Sequence, residues 1–146
     1  MTLRSHPIVG TWRLKSFAER DIETDVLSYP MGEKPKAIVI YTATGHVATI
    51  FTATGRSAPA GLRATDAEAA ELFRTMVSFA GRYDLKVGEL IYYPEITWNE
   101  AWNGTKQTRY FEMRDGILRI KSAPAVSVLL GTVTEMIMTW TREMRD

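Results

Sequence analysis

The chain has 146 residues, 45% of them hydrophobic, which suits one domain with a sizeable core and rules out a disordered chain. Lys and Arg number 18 and Asp and Glu 17, a net charge of +1, with no basic stripe and no nucleic-acid motif; neither nucleic acid nor an anionic membrane is an expected partner. The absence of cysteine excludes disulfides, thiol catalysis and thiolate metal sites.

The opening MTLRSHPIVG has no apolar signal core, and no run approaches membrane-spanning length, so the expectation is a cytoplasmic protein with one domain over residues 1–146. The first strand begins at Gly10-Thr11-Trp12. Trp12, Leu14 and Ser16 share one parity, and Arg13, Lys15 and Phe17 share the other. Two cations on the second parity mark it as the wet face and turn Trp12 indoors. Residues 21–27 alternate Ile22, Thr24 and Val26 against three acids, which predicts a second, solvent-edged strand. The loop 28–35 precedes KAIVIYT (36–42), apolar on both parities and expected to be buried on both faces or covered by another element. Thr-Ala-Thr-Gly occurs at 42–45 and 52–55, as turns at the two ends of the strand HVATIFT (46–52).

After the flexible link 55–64 the period changes. Ala69, Leu72, Phe73, Met76, Val77 and Ala80 share one helical face, Thr65 and Glu68 form a capping box, and Gly81 stands where a helix would end. The spacing predicts a helix over about 65–80, as a lid on a barrel or against its wall. Strands follow at 82–86, 90–98, 105–114, 117–122 and 131–143, with Asp115-Gly116 as a two-residue hairpin turn. The prediction is all-β: an up-and-down antiparallel barrel of about eight to ten strands with one helix. Closure removes exposed edges, and eight strands leave room for one small ligand.

Gly10-x-Trp12 on the first strand and Arg142 after Trp140 on the last resemble the lipocalin pattern. Similarity extends to the bacterial and fungal lipocalin-like domain family through PKAIVIYTATGHV (35–47), FAGRYDL (79–85), EITWNEAWNGTKQTRYFE (95–112) and TWTRE (139–143). The resemblance implies a barrel closed by Gly10, Trp12, Trp140 and Arg142, with the guanidinium packed across the Trp12 indole. It implies an open mouth and a binding cavity. Family members often carry a His-His pair where this chain has Tyr92-Tyr93, so a proton-transfer role for that pair does not carry over.

With Trp12 and Arg142 at the base, Trp140, Met138 and Met136 share the inward parity, either lining a cavity or filling a core. On 105–114 the parity of Lys106, Glu112 and Arg114 is the solvent face, which turns Gln107, Arg109 and Phe111 inward. An interior arginine needs partners, from an internal acid or from an anionic or carbonyl-bearing ligand. Tyr41, Tyr92, Tyr93 and Trp98 offer flat walls and hydroxyls, with the parity of 90–98 left open. The candidate ligand-binding set is Tyr41, Tyr93, Trp98, Gln107, Arg109, Phe111, Met136 and Met138, with no cofactor and no metal.

The first functional reading is a binder of a small apolar or aromatic molecule with a polar head at Arg109. The alternative is a cofactor-free cyclase or isomerase acting on a polyketide-like molecule, a context some lipocalin-like domains accompany; Tyr93, Glu95, His46 and Arg109 are its candidate groups. A further alternative is a homodimeric interaction protein with a filled barrel.

Overall fold

A computed structural model describes residues 3–144. The strands are β1 (Gly10–Asp21), β2 (Leu27–Ser28), β3 (Lys36–Tyr41), β4 (His46–Thr52), β5 (Met76–Lys86), β6 (Glu89–Thr97), β7 (Gln107–Arg114), β8 (Ile117–Ser122), β9 (Ala125–Val126) and β10 (Val133–Arg142). Each ring strand pairs antiparallel with the next, in the order β1, β3, β4, β5, β6, β7, β8, β10, and β10 pairs back onto β1. The two-residue β2 and β9 hang beside β1 and β10. This is a closed eight-strand up-and-down barrel with two extra strands and one helix, α1 (Asp66–Arg74). No helix among the described residues is long and apolar enough to cross a membrane.

One end of the ring is plugged. Trp12 is 1% exposed, and its indole Nε1 donates to the Ile8 carbonyl at 2.9 Å. The Arg142 guanidinium lies 4.2 Å from the indole centroid, a cation–π contact worth about 0.5–2 kcal/mol. It also donates to the carbonyls of Val9 and Pro7, tying the N-terminal segment across the base. Gly10 has φ +137°, and a Cβ there would stand 2.7 Å from Arg142 Nη1. Only glycine fits both the backbone and the guanidinium.

β1 departs from simple alternation. Its register on β10 slips between Leu14 and Ser16, so Trp12 pairs with Arg142 and Leu14 with Trp140, but Phe17 pairs with Met138 and Glu19 with Met136. The bulge flips the inward parity. Phe17, expected on the wet face, is buried, and Glu19 points inward beside it.

The helix is shorter than expected. The capping box forms as predicted, with Thr65 Oγ1 accepting from Glu68 N–H and Glu68 accepting from Thr65 N–H. α1 ends at Arg74, where the Thr75 hydroxyl donates to the Glu71 and Leu72 carbonyls. Met76 to Gly81 instead begin β5, paired with β4 on one side and β6 on the other. Two ladders of backbone hydrogen bonds and the burial of Val77 and Phe79 outweigh the helical spacing. Gly81 stands at a bulge facing Pro94, where a Cβ would come within 2.1 Å of the Tyr93 carbonyl oxygen.

Two other expectations fail. Residues 22–24 are a turn: the Asp21 carboxylate accepts from the N–H groups of Thr24 and Glu23, which holds its pKa below the ordinary value. β3 buries Ala37, Val39 and Tyr41 inside, but Ile40 on its outer face is exposed.

Candidate functional site

Above the plug the barrel holds a cavity of about 410 Å³. Its rim is formed by residues 105–108 and 123–129, at the end away from Trp12, where β7 begins and β8 ends. The wall is mostly apolar: Phe17 and Phe51 meet edge to face at 5.9 Å, Phe51 meets Trp140 at 5.4 Å, and Phe79 meets Trp102 at 5.7 Å. Met136 and Met138 add adaptable surface, and Met31 reaches in from the loop before β3.

A few polar groups interrupt this wall. Arg109, on β7, is 7% exposed. Its Nη2 donates to Gln107 Oε1 at 2.7 Å and its Nη1 to the Thr108 carbonyl at 3.2 Å. Gln107 is held in turn by donating to Thr105 Oγ1 at 3.1 Å. The guanidinium lies 5.6 Å from the centroid of the Tyr92 ring. Among the described residues no carboxylate forms an ion pair with it. Burial lowers its pKa, with Tyr92 and Tyr41 opposing, and an arginine so placed keeps its charge.

Next to Arg109 the Tyr41 and Tyr92 hydroxyls stand 2.5 Å apart. Burial drives the Tyr41 phenol well above its ordinary pKa, and the neighbouring Tyr92 adds to the rise. Burial also raises Tyr92, but the hydrogen bond from Tyr41 and the Arg109 charge pull it back. The two phenols thus share one short hydrogen bond beside the Arg109 charge, and burial favours the neutral form of both.

Glu19 stands in the cavity wall and is 1% exposed. Its Oε1 accepts from the Thr134 hydroxyl at 2.5 Å. Its Oε2 and the Trp140 Nε1 are the buried side-chain polar atoms without a hydrogen-bond partner among the described residues.

Of the candidate residues, Tyr41, Gln107, Arg109, Met136 and Met138 line this cavity. Tyr93 does not. β6 turns Tyr92 inward and Tyr93 outward, where its hydroxyl donates to Asp84 and Arg82 packs on its ring. Trp98 stands one layer behind the wall, between Phe73 of α1 and Trp102, and it is Trp102 that lines the cavity. Phe111 keeps the inward parity but lies deeper, against His6 at 6.1 Å and outside the lining. No residue of α1 lines the cavity. Trp140, grouped with the closure and expected on the inward parity of Met136 and Met138, also forms part of the lining. Among the groups named for an enzyme, Glu95 pairs with Arg82 on the surface and His46 is exposed beside the 42–45 turn. His6 is anchored near the base: its Nδ1 accepts from Ile8 N–H, and burial lowers its pKa.

The candidate set holds neither Glu19 nor Trp102, and of the open pair Tyr92-Tyr93 it takes Tyr93 where Tyr92 lines the cavity. A large aromatic, Phe17, sharing a parity with Arg13 and Lys15 is the signal that could have revealed the bulge and with it Glu19. Trp102 belongs to the short 3-10 turn Glu100–Trp102, outside any strand pattern. Among the described residues no group of three or more His, Asp or Glu could hold a metal ion.

No match is found among curated proteins. The model of the lipocalin-like domain family matches residues 9–143, nearly the whole length from the plug to the last strand. Its fold, its sealed base and this match give one answer: the chain belongs to the lipocalin-like domain family.

Proposed function

We propose that the protein binds a small, largely apolar or aromatic molecule whose anionic or carbonyl head seats on Arg109. Lipocalin-like barrels suit small-molecule binding in general, since eight strands enclose about one ligand. The observation that carries the finer reading is Arg109 itself: a buried guanidinium in the cavity wall with two neutral acceptors and no acid. Desolvating such a charge costs several kcal/mol unless partners arrive. A carboxylate supplies acceptors in the planar geometry a guanidinium fork matches. Lys106 at the rim adds a second positive charge on the way in. The volume falls within the range of pockets that enclose small ligands, and the phenylalanines and methionines fit an apolar body of irregular shape.

The test is titration with 2-naphthoate and decanoate, followed by quenching of Trp102 and Trp140, against the uncharged 2-naphthylmethanol. Saturable one-to-one binding of an acid, at least about tenfold tighter than the alcohol and lost in Arg109→Met, is the expected result. Equal binding of acid and alcohol, or no saturable binding of either acid, overturns it.

A further inference from the structure

Arg109 has a counterpart on the same wall. The pairings place Glu19 opposite Met136 and Arg109 opposite Ser122. The β8–β10 register, with Met138 on Ile120, brings Met136 level with Ser122, whose Oγ accepts from Met136 N–H at 2.8 Å. Glu19, Met136, Ser122 and Arg109 therefore form one inward row across β1, β10, β8 and β7, and all four line the cavity. Its ends are three strand spacings apart, roughly 14 Å along the wall and less in a straight line. A carboxyl ends the row at one side and a guanidinium at the other. They form no ion pair.

Resting on the reading of Arg109 as the head-group anchor, we infer that the ligand carries a second polar end, a hydroxyl or an N–H, that donates to Glu19. Thr134 accounts for Oε1 alone; Oε2 has no partner, and the adjoining inward side chains Phe17 and Met136 supply no donor. A buried acceptor left unmet is costly, and a cavity group in that state selects for a molecule that meets it. The chemical class is thus a hydroxy- or amino-substituted apolar acid, its two polar ends separated by an apolar middle that packs on Met136. Separation also bears on chemistry. An acid–base group and an oxyanion donor acting on adjacent atoms must both reach them within hydrogen-bond distance. Groups at opposite ends of a row of four strands are arranged to recognise two ends of one molecule.

The experiment compares 2-naphthoate with its three isomeric 5-, 6- and 7-hydroxy derivatives on the wild-type protein, Glu19→Gln and Glu19→Leu, with the melting temperature of each variant measured alongside. At least one hydroxy isomer is expected to bind the wild type about tenfold or more tightly than 2-naphthoate. That gain disappears in Glu19→Leu and survives in part in Glu19→Gln, which keeps an acceptor, and 2-naphthoate itself binds all three proteins about equally. Should no isomer gain, or the gain persist undiminished in Glu19→Leu, the second end is not read by Glu19, and the Arg109 reading stands untouched. Failure of 2-naphthoate and every isomer to bind the wild type removes both.

Discussion

Arg109→Met separates a binding group from a structural one by the sign of its effect on stability. Methionine keeps much of the stem volume and removes the charge. The change relieves a desolvation penalty of several kcal/mol carried by a group 7% exposed. It sacrifices the hydrogen bond to Gln107 at 2.7 Å, the longer one to Thr108 at 3.2 Å, and the contact with the Tyr92 ring, the last worth about 0.5–2 kcal/mol. Gln107 and the Thr108 carbonyl both border the cavity, so water can replace what they lose. With these losses deducted from the desolvation penalty of an unpaired buried charge, Arg109→Met is expected to gain about 1–2 kcal/mol. At this chain length that is a rise of about 2–8 °C in melting temperature. In the same variant 2-naphthoate binding weakens by about 30-fold or more, the cost of withdrawing one partner of a buried charged contact. The assays are differential scanning calorimetry and tryptophan quenching on one preparation. A melting temperature lowered by several degrees with unchanged binding would refute the reasoning and make Arg109 a strut of the barrel.

Three other outcomes follow from the geometry. Tyr41 and Tyr92 are raised by burial, and Tyr83 is raised to about 12; above pH 10 the unfolded chain releases protons that the folded chain keeps. Stability fully present below pH 10 is then lost as pH rises, by at most about 1.4 kcal/mol per pH unit for each phenol that stays protonated in the fold, and urea midpoints with absorbance at 295 nm read it; six tyrosines ionising together near pH 10 in the native protein would contradict this. Gly10→Ala forces a Cβ against Arg142 at an unfavourable φ and should cost about 1–3 kcal/mol in denaturant melts, where an unchanged midpoint would deny the close approach. His46→Ala, Tyr93→Phe and Glu95→Gln alter the outer surface only, so 2-naphthoate affinity should stay within about twofold of wild type by the same quenching assay.

The strands, their order and the plug were legible because one wet face and one dry face write themselves as alternation. Arg119 and Lys121 against Leu118 and Ile120 is such a record, and the Asp115-Gly116 turn dates the reversal. The inward direction of Arg109 and Gln107 was legible for the same reason. Illegibility began where alternation breaks. A one-residue bulge near Lys15 exchanged the faces of β1 and hid Glu19. At Tyr92-Tyr93 two identical residues are adjacent and one must face each way; only the pairing with β5 and β7 decides that Tyr92 faces in. Residues 76–80 satisfy both periods at once, and it is the neighbouring strands, absent from any local window, that choose the extended form.

The most direct test of the account is a crystal structure of the protein grown with 2-naphthoate. The carboxylate should lie within hydrogen-bond distance of the Arg109 guanidinium, with the rings against Met136 and Phe17 and the plug at Trp12 unmoved. Naphthyl rings held at the rim with the carboxylate in solvent, or a carboxylate bound elsewhere in the cavity, would contradict it.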